Sequence, residues 1–274
     1  MSAWKKIVST AVSALGFELV GTPDNRVGVE RHQTLGRDHI RDIQTILGAP
    51  PRCIFDVGAH IGQTAKRFAT AFPAADIYSF EPDPRSYAAL EATARALPRV
   101  HPFHAALGAR TGEATLFRNV YDQTNSLLPN AAGAAEFALF EEYLRPAGTE
   151  QVPITTIDAF CAEHGIRAID VLKMDVQGYE LEVLRGAAET LSGAAIPLIY
   201  TEVSFIRYYE AQPLFQHVYE FLYALDYRMV GIYESGYLTH YYQVGGNALF
   251  VHASRGQRKP RAPFFRLGRV ELRR

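Results

Sequence analysis

The segment Asp56-Val57-Gly58-Ala59-His60-Ile61-Gly62 follows a short apolar run and is the part of the sequence best suited to hold a charged ligand. Glycine permits a tight turn and lets a ligand approach the backbone without meeting a Cβ atom. The helix expected after the turn would offer unpaired N–H groups and the positive end of its dipole to an anion. The glycine spacing is not the Gly-x-Gly-x-x-Gly of dinucleotide-binding turns, which weakens the case for a pyrophosphate. A carboxylate would suffice.

A second acidic position, Glu81, ends the next expected strand, 25 residues after Asp56. A carboxylate at such a position can accept hydrogen bonds from both hydroxyls of a ribose. Pro82 and Pro84 shape the turn that follows it. A glycine turn alone is weak evidence, but a ribose at Glu81 combined with a carboxylate at the turn describes S-adenosylmethionine.

Three segments resemble the FkbM-type methyltransferases: Ile54 to Gly62, Phe80-Glu81-Pro82, and Leu172 to Glu180. The resemblance spans roughly Cys53 to Val251. It implies the class I methyltransferase fold and methyl transfer from S-adenosylmethionine to hydroxyls of saccharides or polyketide-like compounds. With the turn and Glu81, the matching positions give a cofactor site of Asp56, Gly58, Ala59, His60, Gly62, Glu81, Pro82, Ala106 and Asp175.

The sequence departs from the family at Gln177, where a glutamate is common. A neutral amide keeps an acceptor atom but loses the charge. We therefore expect no proton-accepting or metal-binding role for Gln177.

Methyl transfer to an alcohol needs a base to remove the hydroxyl proton. Three candidates are Asp175 at the end of the fourth expected strand, Glu202 at the end of the fifth, and His240 before the last strand. Ligands of open α/β sheets bind at the carboxyl ends of the strands, so Asp175 and Glu202 should share an edge with Glu81. Asp175 is our first candidate for the catalytic base.

Each candidate has a structural alternative. Asp175 could cap the helix expected near Gly178, and Lys173 could pair with Glu202 in a buried ion pair. Asp175 and Glu202 could together hold a divalent cation, but no third ligand is evident, so a metal ion is not expected. His60 could face the cofactor or the solvent, and His240 fits a surface histidine at least as well.

Ten of the fifteen tyrosines lie between Tyr200 and Tyr242. Aromatic side chains suit stacking on a sugar ring or a flat polyketide. Tyr219 and Tyr223 share a helical face with Phe215 and should pack in the core. The tyrosines expected to line an acceptor pocket are Tyr208, Tyr209, Tyr237, Tyr241 and Tyr242.

Short apolar runs alternate with helical stretches from residue 52 onward, which is typical of a parallel sheet with helices on both faces. Parallel strands are predicted at residues 53–57, 77–80, 100–106, 169–174 and 198–203, and an antiparallel pair at 228–233 and 248–252. Helices are predicted at 63–72, 83–97, 157–164, 179–191 and 214–225. The fold class is therefore α/β, a Rossmann-like, mostly parallel sheet with a C-terminal antiparallel pair. Residues 108–118 are expected to form a hairpin.

The predicted organisation is an N-terminal helical extension (1–48), a methyltransferase domain (49–254) and a flexible basic tail (255–274). Residues 4–15 have the spacing of an amphipathic helix. The tail holds eight basic residues and one acidic residue. Residues 121–151 lose the alternating pattern and predict an insertion or lid over the site, with an alanine-rich helical piece.

The 274 residues carry a net charge of -1, which argues against a protein that mainly neutralises nucleic-acid phosphates. The two cysteines form no disulfide pattern and no apolar run is long enough to span a membrane, so we expect a cytoplasmic protein. Its expected partner is a small-molecule or glycan acceptor. The sequence is also compatible with a homo-oligomer. The alternatives are an NAD-dependent oxidoreductase, a nucleic-acid methyltransferase that uses the tail, or a non-enzymatic cofactor-binding protein.

Overall fold

The computed structural model describes residues 17–21, 27–31, 35–132, 134, 142–238 and 242–256. Residues 36–256 form one compact unit, and residues 1–35 with 257–274 form another. In the latter, β1 (Phe17–Gly21) pairs antiparallel with β2 (Val27–Arg31), which the sequence pattern did not predict. The predicted helix at residues 4–15 and residues 257–274 of the predicted tail lie outside the described residues.

Seven strands form the main sheet, in the spatial order β11-β12-β10-β9-β3-β4-β5. They are β3 (Cys53–Val57), β4 (Asp76–Phe80), β5 (Val100–Phe103), β9 (Val171–Met174), β10 (Leu198–Ser204), β11 (Tyr227–Leu238) and β12 (Tyr242–His252). The first five run parallel, whereas β12 is antiparallel to both β10 and β11. The predicted α/β fold with its C-terminal antiparallel pair is confirmed.

Helices cover both faces of this sheet. They are α1 (His39–Leu47), α2 (Gln63–Ala71), α3 (Pro84–Ala94), α4 (Ile157–His164), α5 (Glu180–Arg185), α6 (Ala188–Ser192), α7 (Phe215–Ala224) and α8 (Ala253–Gly256). Ile43 of α1 and Phe68 of α2 are buried on one face, and Phe160, Leu184 and Leu222 on the other. No helix among the described residues is both long and apolar enough to cross a membrane.

A smaller sheet accounts for two errors of the sequence analysis. It contains β6 (Ala106–Leu107), β7 (Gly112–Asn119) and β8 (Pro146–Thr155), in the order β6-β8-β7. Residues 108–118 form no hairpin, because β7 pairs along its length with the distant β8. The expected strand at 100–106 is divided, since its last residue belongs to β6 in the second sheet.

The helix predicted at 179–191 is two short helices, α5 and α6, separated at Gly186. A Cβ atom at Gly186 would lie 1.9 Å from the carbonyl oxygen of Gly108. The chain therefore changes direction where it passes the start of the small sheet.

The segment 121–151 is described only in part, since residues 133 and 135–141 are not. A 3-10 turn covers Asp122–Thr124, and Asn130 forms an isolated bridge with Tyr209. Residues 146–151 belong to β8. The alanine-rich helical piece falls largely outside the described residues, and the lid stays a prediction.

Candidate active site

A cavity of about 420 Å³ lies at the carboxyl ends of β3, β4 and β9. Its volume falls in the range of small-molecule sites. Its walls include most of the predicted cofactor residues: Gly58, Ala59, His60, Glu81, Pro82, Ala106 and Asp175. The structure thus brings these positions together at the edge where α/β sheets bind ligands.

The glycine turn is held tightly against the neighbouring strands. Gly58 has a φ of +73°, and a Cβ atom there would lie 1.8 Å from the carbonyl oxygen of Asp175. The N–H groups of Gly58 and Ala59 both donate to the carbonyl oxygen of Phe80, at 3.0 and 2.9 Å. Only glycine fits at position 58, and the turn presents its backbone to the cavity.

Two predicted cofactor residues, Asp56 and Gly62, do not line the cavity. Asp56 is fully buried, and its Oδ1 lies 2.9 Å from Nζ of Lys173. Gly62 precedes α2, and a Cβ atom there would lie 3.1 Å from side-chain carbons of Leu90 and Thr93 on α3. Both residues therefore position the turn from behind.

Lys173 joins the buried carboxylate to the turn. Its Nζ also donates to the carbonyl oxygen of Gly58 at 2.9 Å. Burial alone would lower the pKa of Lys173, but the charges of Asp56, Asp175 and Glu202 raise it above its usual value. The ion pair formed by Lys173 is with Asp56 and not, as one alternative held, with Glu202.

Glu81 is almost fully buried, and both of its carboxylate oxygens are fixed by the backbone. Oε2 accepts the N–H of His60 at 2.8 Å, and Oε1 accepts the N–H of Asp83 at 2.9 Å. Burial raises the pKa of Glu81 to about 7. A carboxylate has about four acceptor positions, so roughly two remain for a ligand.

Asp122 and Gln123, in the turn at residues 122–124, also line this cavity. Oδ1 of Asp122 lies 3.2 Å from Nε2 of His60. Asn125 donates from Nδ2 to Oδ2 of Asp83 at 2.6 Å, and the Asp83 side chain also caps the start of α3. His60 therefore faces the cavity wall.

Asp175, Gln177 and Glu202 form a cluster at the inner end of the cavity. Nε2 of Gln177 donates to Oδ1 of Asp175 at 2.8 Å and to Oε2 of Glu202 at 3.1 Å. The hydroxyl of Tyr209 lies 3.0 Å from Oε1 of Gln177 and can donate to it, which fixes the orientation of the amide. Sequence analysis missed this role of Gln177, because the residue type does not predict its positive φ of +53°.

Glu202 of the cluster and the neighbouring Glu180 have different environments. Oε1 of Glu180 accepts the N–H groups of Val176 and Gly178, at 3.1 and 3.3 Å, so Glu180 clamps the loop before α5. Burial raises the pKa of Glu180 to about 7. Burial, together with the nearby charges of Asp175 and Glu180, raises the pKa of Glu202 well above its usual value. Asp175 does not cap α5, which follows Tyr179 without a side-chain cap.

A second cavity, of about 230 Å³, adjoins the first. Gln177 and Glu202 line both cavities, so the carboxylate cluster stands where they meet. Two of the tyrosines expected in an acceptor pocket, Tyr208 and Tyr209, line the second cavity. The side chains of Tyr237 and Tyr242 and all of Tyr241 and His240 lie outside the described residues.

The tyrosines expected to pack do so in part. Tyr219 packs against the buried core and stacks on Tyr223 with ring centroids 5.8 Å apart. Tyr223 is about half exposed and carries the guanidinium of Arg228 over its ring. Neither tyrosine lines either cavity.

A cation site needs several ligand side chains placed close together. Within the described part of the chain, no group of three or more histidine, cysteine, aspartate or glutamate side chains has the arrangement of a metal site. The amide of Gln177 donates to both Asp175 and Glu202.

The methyltransferase FkbM domain matches residues 56–229 of the chain. A 2-O-methyltransferase, NoeI of Sinorhizobium fredii, is 32% identical over 179 residues, which cover 63% of this chain and 71% of that protein. The methyltransferase sdnD of Sordaria araneosa is 30% identical over 177 residues, which cover 56% of this chain and 66% of that protein. The crystal structure of methyltransferase FkbM from Methylobacillus flagellatus aligns with a TM-score of 0.48 at 15% identity, over 73% of this chain and 43% of its own. The chain thus spans less than half of that solved structure.

Proposed function

Because the chain belongs to the methyltransferase FkbM family and is an enzyme that transfers methyl groups, we propose that it uses S-adenosylmethionine to methylate a hydroxyl of a saccharide or polyketide-like small molecule. The resemblance of this chain to the FkbM family, which the sequence motifs indicated, is thereby confirmed. The methyl donor, the acceptor class and the residues below are the proposed part.

The first cavity suits the donor. Glu81 keeps about two acceptor positions free, which matches the two hydroxyls of a ribose. Gly58 leaves room for close approach to the backbone, where a side chain would meet Asp175. When bound, S-adenosylmethionine would supply an electrophilic methyl group.

The carboxylate cluster suits proton removal. Glu202 borders both cavities, so it can contact an acceptor in the second while the donor lies in the first. A base is most effective when its pKa lies near the working pH, and the pKa of Glu202 is raised from its usual acidic range. We therefore favour Glu202 over Asp175 as the proton acceptor. Asp175 borders the donor cavity and shares the amide of Gln177.

The remaining contribution of the chain is positioning. Gln177 holds the carboxyl groups of Asp175 and Glu202 at one amide, and Tyr209 holds that amide. An acceptor fixed against Glu202 would need little further ordering to reach the reactive geometry. The single observation that carries the proposal is this cluster at the junction of two cavities, one of which contains the backbone-held Glu81.

The test is a calorimetric titration with S-adenosylhomocysteine, the demethylated product, at pH 8. Replacing Glu81 by glutamine removes the charge that accepts the two ribose hydroxyls, and hydrogen bonds to charged groups contribute about 1.5–3 kcal/mol each. We expect Glu81→Gln to weaken binding by about 10- to 100-fold. Glu113→Gln on the exposed edge of β7 is the matched control and should bind as the unchanged protein does.

Two outcomes would contradict the proposed donor site. One is wild-type affinity in Glu81→Gln. The other is tight binding of NAD by a protein with no affinity for S-adenosylhomocysteine, which would favour the oxidoreductase alternative.

A further inference from the structure

Glu234 is a second carboxylate on the wall of the smaller cavity, and the proposed reaction does not use it. It lies in β11 where the pairing with β12 shifts register between Tyr233 and Gly236. Its φ is +50°, in the left-handed region that favours glycine. Irregularities of this kind often turn a side chain toward a functional site. Glu234 is therefore a candidate for a specific task in this cavity.

Three side chains hold the carboxylate of Glu234. Nη1 of Arg67 donates to Oε1 at 2.9 Å, while the hydroxyl of Tyr200 and Nδ2 of Asn247 each donate to Oε2 at 3.2 Å. Burial would raise the pKa of Glu234, but the hydrogen bond and charge of Arg67 and the charge of His39 lower it overall. The side chain is therefore an ionised carboxylate, with about one acceptor position open on Oε1.

A buried polar layer fixes the strand that carries Glu234. The ring of His39 stacks on Tyr200 with centroids 4.6 Å apart, and the hydroxyl of Tyr233 donates to Oδ2 of Asp42 at 2.5 Å. Both His39 and Asp42 lie on α1, so the helix and the bulged strand are joined directly beside Glu234. The Glu234 side chain is 45% exposed, so a ligand in the cavity can reach it while its three hydrogen bonds orient it.

One residue, Asn247, links Glu234 to Glu202. Glu202 of β10 is directly opposite Asn247 of β12, and the Asn247 side chain holds Glu234. Gly245 and Gly246 also line the cavity, and both are packed too closely against neighbouring residues to carry a side chain. A Cβ atom there would lie 2.7 Å from the Val203 oxygen or 2.8 Å from Ile232.

The described lining of this cavity has acceptors and neutral donors but no positive charge. It consists of Thr124, Leu144, Gln177, Glu202, Ser204, Tyr208, Tyr209, Gln212, Glu234, Gly236, Val244, Gly245, Gly246 and Asn247. Arg67, the cation that touches Glu234, is outside this lining. An anionic group buried here would find no charged partner, which is costly. A neutral polyol would find acceptors for its hydroxyls and an aromatic wall.

We propose that Glu234 binds a hydroxyl of the acceptor and that this cavity selects uncharged polyhydroxylated acceptors over those bearing a carboxylate or phosphate. The inference rests on the proposed function, because it takes the second cavity as the acceptor site. Glu202 and Glu234 would then contact different hydroxyls of one acceptor. Charge discrimination follows from the absence of a cation in the described lining.

The experiment measures release of S-adenosylhomocysteine with pairs of acceptors that differ in one group. The probes are methyl glycosides of neutral hexoses and 6-deoxyhexoses and the methyl glycosides of the matching hexuronic acids. We expect turnover of at least one neutral glycoside and a kcat/KM at least about 100-fold lower for its acidic counterpart. Glu234→Gln should raise KM for the neutral glycoside by about 10-fold or more with kcat changed less than threefold.

The controls separate this inference from the donor site. Glu234→Gln should bind S-adenosylhomocysteine as tightly as the unchanged protein, which also shows that it folds. Glu220→Gln, on the exposed side of α7, should leave both kinetic constants unchanged. Arg67→Gln, which frees the carboxylate without removing it, should raise KM by a smaller factor.

Either of two results would overturn the inference while the proposed function stands: equal turnover of neutral and acidic glycosides, or an unchanged KM in Glu234→Gln. Turnover only of polyketide alcohols that lack a polyol would do the same. Loss of S-adenosylhomocysteine binding in the unchanged protein would instead refute the donor site.

Discussion

Three buried glutamates in and beside the candidate site have raised pKa values, and their hydrogen-bond partners differ. Glu81 accepts two backbone N–H groups from different segments and keeps acceptor capacity for a ligand. Glu180 spends one oxygen on two N–H groups of its own loop. Glu202 receives one hydrogen of the Gln177 amide and borders both cavities. At this scale, the hydrogen-bond partner rather than the residue type separates the loop support by Glu180 from the proposed ligand binding by Glu81 and the proposed proton transfer by Glu202.

The proposed role of Glu202 as proton acceptor predicts a specific pH dependence. A base works only when deprotonated, and the folded protein raises the pKa of Glu202 well above its usual value. Activity should therefore be present at high pH and be lost as the pH falls through that raised pKa. With saturating donor, Glu202→Gln should lower kcat by about 100-fold or more and remove this acid limb.

The measurement is a pH profile of kcat for both proteins. Saturating donor removes the contribution of Glu81, which affects donor affinity. Glu163→Gln, an exposed position on α4, is the matched control and should retain the wild-type profile. An unchanged acid limb in Glu202→Gln would assign the limb to another group and return Asp175 to first place.

The sequence predicted Glu81, Asp175 and Glu202 as site residues, because each was expected to end a strand and the ends of parallel strands meet at one edge. In the structure Glu81 and Asp175 directly follow β4 and β9, whereas Glu202 lies inside β10. The sequence did not identify Gln177 or Glu234 as contact residues. Both have positive φ values, and that conformation depends on packing by distant segments. The residue types alone do not indicate that Gln177 and Glu234 line a cavity.

At the scale of elements, the site depends on backbone turns that follow β3 and β9. Gly58 approaches the end of β9 so closely that its Cβ would overlap the Asp175 oxygen. The Asp175 N–H in turn donates to the Val57 oxygen at 3.0 Å. The two strand ends therefore fix each other, and the cavity edge is part of the sheet.

The replacement Gly58→Ala tests this contact against a matched position. Gly165, after α4, has a similar φ of +67° but nothing within 4 Å of a Cβ atom. We expect Gly165→Ala to cost about 1–2 kcal/mol in free energy of unfolding, from the backbone conformation alone. Gly58→Ala should cost about 2–4 kcal/mol, because displacement of β9 adds to that strain.

Urea denaturation of both variants gives the comparison. Equal losses of unfolding free energy would show that the backbone at positions 58 and 175 can move apart at little cost in free energy. Weaker binding of S-adenosylhomocysteine only in Gly58→Ala would further show that the close approach shapes the donor cavity.

The elements of the main sheet were predictable because each strand is a short apolar run between turn signals. The second sheet was not, since β7 and β8 pair across a segment that has no periodic pattern of its own. The break between α5 and α6 also depends on a distant contact, that of Gly186 with Gly108. Local patterns thus placed the strands of the sheet, and long-range contacts decided the remaining elements.

At the scale of the whole unit of residues 36–256, a buried ion pair joins the sheet to the active site. Asp56 on β3 and Lys173 on β9 are both buried in adjacent strands, and Lys173 also binds the glycine turn. Burial raises the pKa of Asp56, whereas its lysine partner opposes that shift. The positive charge of Lys173 also stands beside Asp175 and Glu202 and limits their mutual repulsion.

Removing one member of this pair should be more damaging than removing both. Lys173→Met leaves the Asp56 carboxyl buried without its partner, and such a change costs about 3–5 kcal/mol. Asp56→Asn leaves an unpaired ammonium, for which we expect a loss of similar size. In the double variant both charges are absent, so its loss of unfolding free energy should be smaller than that of either single variant and therefore well below the sum of the two single losses. The measurement is a double-mutant cycle in urea at pH 7, and additive losses would show that the pair contributes no coupling. Lys173 also donates to the glycine turn. The double variant should therefore recover stability but not affinity for S-adenosylhomocysteine. That result would separate the role of Lys173 in the sheet from its role in the site.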